Sequence, residues 1–228
     1  MPILHDDKLG DITLVRRVLA SRIRAKIAPN GTITITAPQG TPTALVRLFL
    51  RSSRRQLQSL IDQHQAAFSY RKSQPIGKSH RLLIEHGPTL VTTTGTSIVV
   101  RAPDEAALTS APFQQRIRRA VIAALQKEAK SYLPRRLRHL ADEHQFLYKT
   151  TRIMHASSRW GSCSSRGTIS LNIALMTLPF ELIDYVLIHE LCHTRHMDHS
   201  AAFWREVAAI DPRYKTHRQL LKSHTPYV

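Results

Sequence analysis

The chain has 228 residues, 42% of them hydrophobic and 21% charged, which is typical of a globular protein with one large domain or two modest ones. Its two cysteines, Cys163 and Cys192, exclude a disulfide scaffold, and no apolar run approaches the roughly 20 residues that a membrane-spanning helix needs. The opening MPILHDDKLGD lacks the basic and then apolar pattern of a signal peptide. We therefore expect a cytoplasmic protein without a membrane partner.

The charge balance is strongly basic. Lys and Arg number 33 and Asp and Glu 16, for a formal net charge of +17, and the excess is shared between residues 1–100 and 101–228. A field of this kind attracts polyanions, so it predicts weak, salt-sensitive binding of nucleic acid. The alternative interpretation is a basic bias without a specific partner.

Residues 1–105 are predicted to form a β-rich N-terminal domain with one helix. Alternating patterns predict strands in ITLVRRV, SRIRAKI and TITITAP, with a turn at Pro29-Asn30-Gly31 before the last. Leucines at helical spacing predict a helix from Thr41 to about Phe68, and further strands follow in HRLLIEH, TLVTTT and SIVVRAP. The order is hairpin, helix, hairpin, and it contains no chemical motif.

Residues 106–228 are predicted to form a second domain, which makes the fold class α+β. A helix begins near Ser110 and Pro112, and Pro134 is expected to end or kink it near Leu133. A second helical stretch, the extended segment YKTTRIMHASS, the loop RWGSCSSRG, a strand TISLN and the apolar helix LPFELIDYVLIHELCH follow. No internal repeat is visible in the sequence.

The motif HELCH at the end of that apolar helix points to a metal site. If the helix runs to about residue 195, His189 and His193 lie one turn apart, where two imidazoles can reach one tetrahedral ion. Glu190 is turned by about 100° from His189, so it lies beside the metal and can take a proton from metal-bound water. The pattern arises by chance in about one chain in a hundred of this length, so it needs the support of a third ligand.

His199 is the favoured third ligand. It follows His193 by six residues, and its neighbours Asp198 and Ser200 favour a turn that brings its side chain back over the metal. His196 is expected at the rim or behind the ligands, as is Asp198. Glu206 remains open as an alternative ligand, and so does His196.

Other side chains are candidates for the pocket around this motif. Trp160 is large enough to wall it, Gly161 permits a tight turn, and Asn172 could hydrogen-bond a ligand histidine or the substrate. The strand TISLN could offer its edge to an extended peptide. Weak candidates for stabilising an oxyanion are Tyr185, Tyr214, His217 and Arg218.

Four segments together resemble one known family. RWGSC at 159–163, ISLN at 169–172, DYVLIHELCH at 184–193 and HSAAFW at 199–204 resemble the YgjP-like metallopeptidase family, which is related to SprT-like and Wss1-like zinc peptidases. The resemblance implies a zincin-like catalytic domain with a small sheet and an HExxH helix. It also implies one Zn²⁺ per chain held by His189, His193 and His199, with Glu190 as the catalytic acid/base.

The leading hypothesis is a zinc-dependent metallopeptidase that hydrolyses peptide bonds in a peptide or protein substrate, using metal-activated water with Glu190 as general base. The alternative is a nucleic-acid-associated protein, which the charge favours, and the SprT-like kinship implies the combined case of a protease acting on DNA-linked proteins. A third interpretation is a non-catalytic zinc site with four protein ligands, in which Cys163 or Cys192 supplies the fourth. Cys192 is turned about 80° from the two helix histidines, which makes it a poor ligand.

Overall fold

The computed structural model describes residues 3–6, 9–27, 33–67 and 73–228. The chain forms two compact units, Met1–Tyr70 and Arg71–Val228, called unit 1 and unit 2 below. Unit 2 thus includes the strands of residues 74–102, whereas the sequence placed a domain boundary at 105/106; that boundary stays a prediction. Every helix among the described residues is too short or too polar to cross a membrane.

Unit 1 is a four-stranded sheet covered on one face by a long helix. Its elements are β1 (Ile3–Asp6), β2 (Gly10–Arg17), β3 (Arg24–Ile27), β4 (Ile33–Pro38) and α1 (Thr43–Ala67). The period-two pattern of β4 buries Ile33, Ile35 and Ala37 against the helix residues Val46 and Leu50. The predicted strands and helix are confirmed here, while the predicted turn at Pro29-Asn30-Gly31 lies outside the described residues.

Unit 2 begins with a second four-stranded sheet, followed by helices. Its first elements are β5 (Gln74–Ile76), β6 (His80–His86), β7 (Leu90–Thr94), β8 (Ser97–Ala102), α2 (Glu105–Thr109) and α3 (Ala111–Glu143). Ser110 is the residue just before α3 and Pro112 lies in its first turn, so the helix begins where predicted.

Pro134 does not end α3, so the predicted end near Leu133 is wrong, while the alternative of a kink stays a prediction. The helix is 33 residues long in total and contains the proline in its interior. A proline in a helix interior costs about 3 kcal/mol. The fully buried side chains of Leu133 and Leu137 on either side offset that cost. In addition, Nε of Arg135 donates a hydrogen bond to the backbone carbonyl of Ser131 at 2.6 Å.

The sheets of the two units have the same strand order and the same pairing directions. The orders are β1-β2-β4-β3 and β5-β6-β8-β7, and in each sheet the central pair is parallel and the outer pairs are antiparallel. A helix follows the fourth strand in both. The fourth strands bury corresponding side chains, Ile33, Ile35 and Ala37 in one and Ile98, Val100 and Ala102 in the other. The fold therefore repeats a ββββα arrangement that the sequence did not reveal.

A buried carboxylate fastens the β5–β6 turn to α3. Glu128 accepts backbone hydrogen bonds from Lys78 at 2.6 Å, Ser79 at 2.9 Å and His80 at 3.0 Å. It also accepts from the Ser79 hydroxyl and lies 2.6 Å from Nδ1 of His80. Lys78 in turn donates to the carbonyl of Leu178, two residues before the next long helix begins. The turn thus links the sheet of unit 2 to the helices that follow.

The rest of unit 2 is a small sheet with a group of helices. Its elements are β9 (Thr150–Met154), β10 (Gly161–Cys163), β11 (Thr168–Asn172), a 3-10 helix (Ile173–Thr177), α4 (Phe180–Cys192), α5 (Ala201–Ile210) and α6 (Tyr214–Leu221). The sheet order is β10-β11-β9. The TISLN strand, β11, is therefore central and paired on both sides, so its predicted free edge is wrong. The edge strands are β10 and β9 instead. The α+β fold class is confirmed.

Candidate metal centre

The helix α4 places two histidines and a glutamate at its carboxyl-terminal end. Nine of its 13 residues are buried, because its apolar side chains lie on most faces of the helix. The helix ends at Cys192, three residues earlier than predicted, and His193 caps it in a helical conformation. His189 and His193 are consequently one turn apart, with ring centroids 4.8 Å apart.

A tight turn after α4 brings His199 to the same place. Oδ1 of Asp198 accepts a hydrogen bond from the backbone N–H of Ser200, and the Ser200 hydroxyl then caps α5 by accepting from the N–H of Phe203. Nε2 of His199 lies 3.2 Å from Nε2 of His189. One nitrogen from each of the three histidines falls within 4.8 Å of the others.

The protonation of these rings suits metal binding. Nδ1 of His193 lies 2.9 Å from the backbone carbonyl of His196, and because a carbonyl can only accept, this nitrogen carries the proton. Burial, together with His193, His199 and Arg218, lowers the pKa of His189 to about 3, so that ring is neutral at neutral pH. Burial also lowers the pKa of His199. Neutral imidazole is the form that ligates a metal.

Aromatic side chains of α5 form the support for the three histidines. Phe203 is fully buried and stacks on His193 with ring centroids 4.6 Å apart, at 27°. Trp204 stacks on His199 at 5.6 Å and on Tyr214 at 5.5 Å. The sequence alone assigned Trp204 no role. Its position in the first turns of α5, five residues after His199, was the signal that could have placed it next to the cluster.

Glu190 lies beside the cluster in a pocket made by β10. A Cβ built on Gly161 would lie 2.6 Å from Oε1 of Glu190, so only glycine leaves room for this carboxylate. The backbone N–H of Cys163 donates to it. Burial raises the pKa of Glu190 to about 8, against the opposing influence of Arg159 and of the Cys163 N–H. The sequence predicted a tight turn at Gly161 and missed this contact.

Comparison with known proteins identifies the family. The model of the YgjP-like metallopeptidase domain matches residues 21–224, which is most of the chain. The chain belongs to the YgjP-like metallopeptidase family. It is similar to the crystal structure of the metallopeptidase zymogen of Pyrococcus abyssi abylysin, with 31% identity and a TM-score of 0.36. That match covers 40% of this chain and 92% of that chain. No curated protein matches the sequence.

Membership in the YgjP-like family makes this chain a metallopeptidase. The family implies a metal ion and a peptide or protein substrate. The three-histidine cluster fits the metal: two nitrogen ligands of a tetrahedral zinc ion lie about 3.4 Å apart, because each Zn–N bond is about 2.0–2.1 Å. The 3.2 Å between Nε2 of His189 and Nε2 of His199 is close to that value. Within the described residues this is the cluster of His, Cys, Asp and Glu side chains that could hold an ion.

The alternative ligands lie outside the cluster of this metallopeptidase. Glu206 forms a salt bridge to Arg195 at 2.5 Å, and its other oxygen is 3.2 Å from the ring of His196. Cys192 is fully buried, and burial raises the pKa of its thiol to about 12. Cys163 is half-buried next to Glu190 and is not part of the cluster either. Glu206, His196 and the two cysteines are therefore not part of the cluster, which consists of the three histidine nitrogens.

Two of the other predicted pocket residues have structural partners. Asn172 is fully buried, and its amide nitrogen donates to the carbonyls of Ala156, Arg159 and Pro226 at 2.7, 2.8 and 3.0 Å. It therefore anchors the loop before β10, and no hydrogen bond to a ligand histidine is present within residues 73–228. The carbonyl of Trp160 accepts from the N–H of Asn172 at 2.9 Å. The Trp160 ring makes no aromatic contact with the three histidines in the described part of the chain.

The candidates for an oxyanion donor differ in their surroundings. Tyr185 is buried, and that burial raises its pKa to about 12. His217 is buried as well and lies 2.7 Å from Oδ2 of Asp211. The guanidinium of Arg218 lies over the Trp204 ring, 4.6 Å from its centroid, and its charge contributes to lowering the pKa of His189. Arg218 is therefore an exposed cation next to the histidine cluster.

Proposed function

We propose that this metallopeptidase binds one Zn²⁺ through His189, His193 and His199 and hydrolyses peptide bonds with Glu190 as general base. The observation that carries the proposal is the convergence of three imidazole nitrogens within 4.8 Å, next to a buried carboxylate. When bound, zinc polarises the scissile carbonyl and makes water nucleophilic near neutral pH. Side chains of this protein then transfer the proton and stabilise the oxyanion.

The choice of zinc follows from the donor set. Three neutral imidazoles are typical of a catalytic zinc site that keeps a fourth position open. A non-catalytic zinc site prefers four protein ligands. Within residues 73–228 the cluster has three, and both thiols lie outside it. The donor set therefore favours a site that can accept a water molecule or a substrate oxygen.

Glu190 moves the proton in this mechanism. Its carboxylate accepts a proton from the attacking water and returns it to the departing amine. Burial makes a carboxylate a stronger base than it is in water, since its charged form is poorly solvated. The Cys163 N–H holds one side of the group, while Oε2 has no hydrogen-bond partner among the described residues. That unpartnered oxygen is free to accept the proton.

Arg218 is the best placed group to stabilise the oxyanion that forms on the scissile carbonyl. It is a permanent cation, and it is close enough to His189 and His199 to lower the pKa of both. Stacking on Trp204 holds its guanidinium at that side of the cluster. Tyr185 and His217 are buried and are weaker candidates.

An extended substrate would pair with β10. This short strand lies at the edge of its sheet and packs against α4, and within the described residues no strand pairs with its outer side. A peptide that adds to the edge of a sheet is held through main-chain hydrogen bonds, with little regard to sequence. Such pairing would bring the scissile bond next to Glu190, whose carboxylate touches Gly161 of β10.

The substitution Glu190→Gln tests this mechanism. The variant should keep its metal and lose hydrolysis of a quenched fluorescent peptide mixture by a factor of at least about 10³, since the base is gone. The matched control is Glu181→Gln, which removes an exposed carboxylate from the same helix and should leave activity unchanged. Hydrolysis retained in the Glu190 variant would contradict the mechanism. Metal content is measured on the same samples, so loss of metal can be told apart from loss of the base.

A further inference from the structure

A polar pocket lies in unit 1 between β1 and α1, far along the chain from the histidine motif. Its volume is about 180 Å³. The lining includes three arginines of α1, Arg47, Arg51 and Arg54, whose spacing places them within about 60° of one another around the helix. The lining residues are Leu4, His5, Asp6, Arg47, Leu50, Arg51 and Arg54.

The positive charge of this pocket is not balanced. Asp6 is the one carboxylate among the lining residues, and its Oδ2 accepts from Arg54 at 2.7 Å. Arg47 and Arg51 are exposed, and neither has a hydrogen bond or an ion pair with any described residue. Among the described lining residues, three guanidinium groups therefore face one carboxylate, which leaves an excess of two positive charges there.

Arg54 also carries a donor without an acceptor. Its Nε is buried and has no hydrogen-bond partner among the described residues, although its Nη2 is paired with Asp6. A buried donor without an acceptor costs free energy, and such groups in native proteins usually meet a ligand or water. The planar guanidinium fork can donate two parallel hydrogen bonds to the oxygens of a phosphate or a carboxylate group.

The corresponding corner of unit 2 is closed by its own anion. There, Glu128 of α3 accepts hydrogen bonds from the turn between the first two strands of the sheet. The two sheets share one topology. The β1–β2 turn and α1 of unit 1 therefore correspond to the β5–β6 turn and α3 of unit 2. In unit 1 the helix contributes three arginines at the corresponding place, and among the described lining residues the carboxylate is Asp6, which accepts from the N–H of Leu9 and from Arg54. An external anion would complete it.

We propose that Arg47, Arg51 and Arg54 bind a backbone phosphate of a nucleic acid. Arg47, Arg51 and the neighbouring exposed Arg55 follow one another at four-residue intervals, about 6 Å of helix per step, so the row extends beyond what a single phosphate ion needs. The net charge of +17 also favours a long polyanion over a small one. Recognition of this kind reads the phosphates and not the base sequence.

The experiment compares two double variants of the full chain. Arg47→Gln with Arg51→Gln removes two charges from the pocket. Arg24→Gln with Lys26→Gln removes two exposed charges from β3, on the sheet face opposite α1, and is the matched control. Arg54 is left intact because its salt bridge to Asp6 joins α1 to β1. Thermal unfolding checks that both variants are folded.

Binding is measured by fluorescence anisotropy with a labelled 20-nucleotide single strand and a 20-base-pair duplex over a range of salt concentrations. The pocket variant should bind at least about tenfold more weakly than wild type near 0.1 M salt. Its plot of log K against log salt should flatten by about 0.7 for the single strand and about 0.9 for the duplex, because one phosphate contact is lost. The control variant should stay within about twofold of wild type. Equal losses in the two variants would overturn the proposal, because they would mean diffuse attraction.

Two further arms separate the sources of the phosphate. Inorganic phosphate is titrated at constant ionic strength, and vesicles of phosphatidylcholine with phosphatidylglycerol are tested by co-sedimentation. Strong binding of inorganic phosphate or of the vesicles, without pocket-dependent binding of the oligonucleotides, would overturn the nucleic-acid assignment. Glu190→Gln should bind oligonucleotides as wild type does, so a failure of the peptidase mechanism and a failure of this site give different results.

Discussion

Nδ1 of His193 donates a hydrogen bond to the backbone carbonyl of His196 at 2.9 Å. This bond fixes the tautomer of His193 and leaves the lone pair of Nε2 able to bind the proposed metal ion, as a hydrogen bond behind a metal ligand typically does. His196 therefore acts on the cluster through its main chain, while its ring lies against Glu206. The Nδ1 of His189 is buried without a partner among the described residues, so no similar bond fixes its tautomer.

The first prediction compares His199, a proposed metal ligand, with His196, which acts on the cluster only through its backbone carbonyl. His199→Ala should lower the zinc content from about one ion per chain to a small fraction after dialysis, because it removes one of three donors. His196→Ala keeps the carbonyl that orients His193, so it should bind zinc within about threefold of wild type. Elemental analysis of untagged protein provides the measurement. Full zinc retention in His199→Ala would move the third ligand elsewhere.

The second prediction concerns the room that β10 leaves for Glu190. In Gly161→Ala the new methyl group would lie 2.6 Å from Oε1 and 2.7 Å from Cγ of Glu190, so the carboxylate must move. We expect kcat/KM to fall about 10- to 100-fold with the zinc content unchanged, since misplacement of a catalytic group by about 1 Å has effects of that size. Gly40→Ala is the control, because a Cβ at Gly40 meets no atom within 4 Å, and its activity should stay unchanged. Unchanged activity in Gly161→Ala would mean that Glu190 is not held by this contact.

The third prediction tests Arg218 as the oxyanion donor. Arg218→Met keeps an apolar chain over Trp204 and removes the charge, so kcat should fall about 10²- to 10³-fold while KM and zinc content change little. Lys215→Met removes an exposed charge from the same helix and should have no effect beyond about twofold. A rise in KM with kcat unchanged would assign Arg218 to substrate binding instead.

The sequence predicted the features that depend on local spacing. Period-two alternation located the strands, as in Ile33, Ile35 and Ala37, because one buried face imposes that period. The one-turn spacing of His189 and His193 likewise follows from helix geometry alone. These predictions needed no knowledge of which elements become neighbours.

What the sequence missed depends on contacts between distant segments. The parallel pairing of β2 with β4 and the central position of β11 are choices of topology that alternation does not encode. The approach of Gly161 to Glu190 joins residues 29 positions apart, and the passage of α3 through Pro134 depends on burial of its neighbours. In each case the local sequence was compatible with more than one structure, and packing between distant segments determined which one formed.

The fourth prediction concerns the carboxylate that fastens the β5–β6 turn. Glu128→Gln replaces an acceptor of five short contacts with an amide, whose NH₂ group would face backbone donors. We expect the free energy of unfolding to fall by about 2–3 kcal/mol at pH 7. Glu143→Gln, at an exposed position of the same helix, should change it by less than about 0.5 kcal/mol.

The pH dependence of that loss has a definite sign. Burial tends to raise the pKa of Glu128, but hydrogen bonds from His80, Lys78 and Ser79 outweigh it and hold the pKa below its ordinary value of 4.5. A carboxyl group whose pKa is lowered by folding contributes stability that is complete above the unfolded value and is lost as the pH falls through the folded value. The stability gap between wild type and Glu128→Gln should therefore be constant from pH 7 to about pH 5.5 and shrink below about pH 4.5. Urea unfolding of both proteins across this range measures the gap, and a gap that widens in acid would mean that Glu128 is protonated in the folded protein.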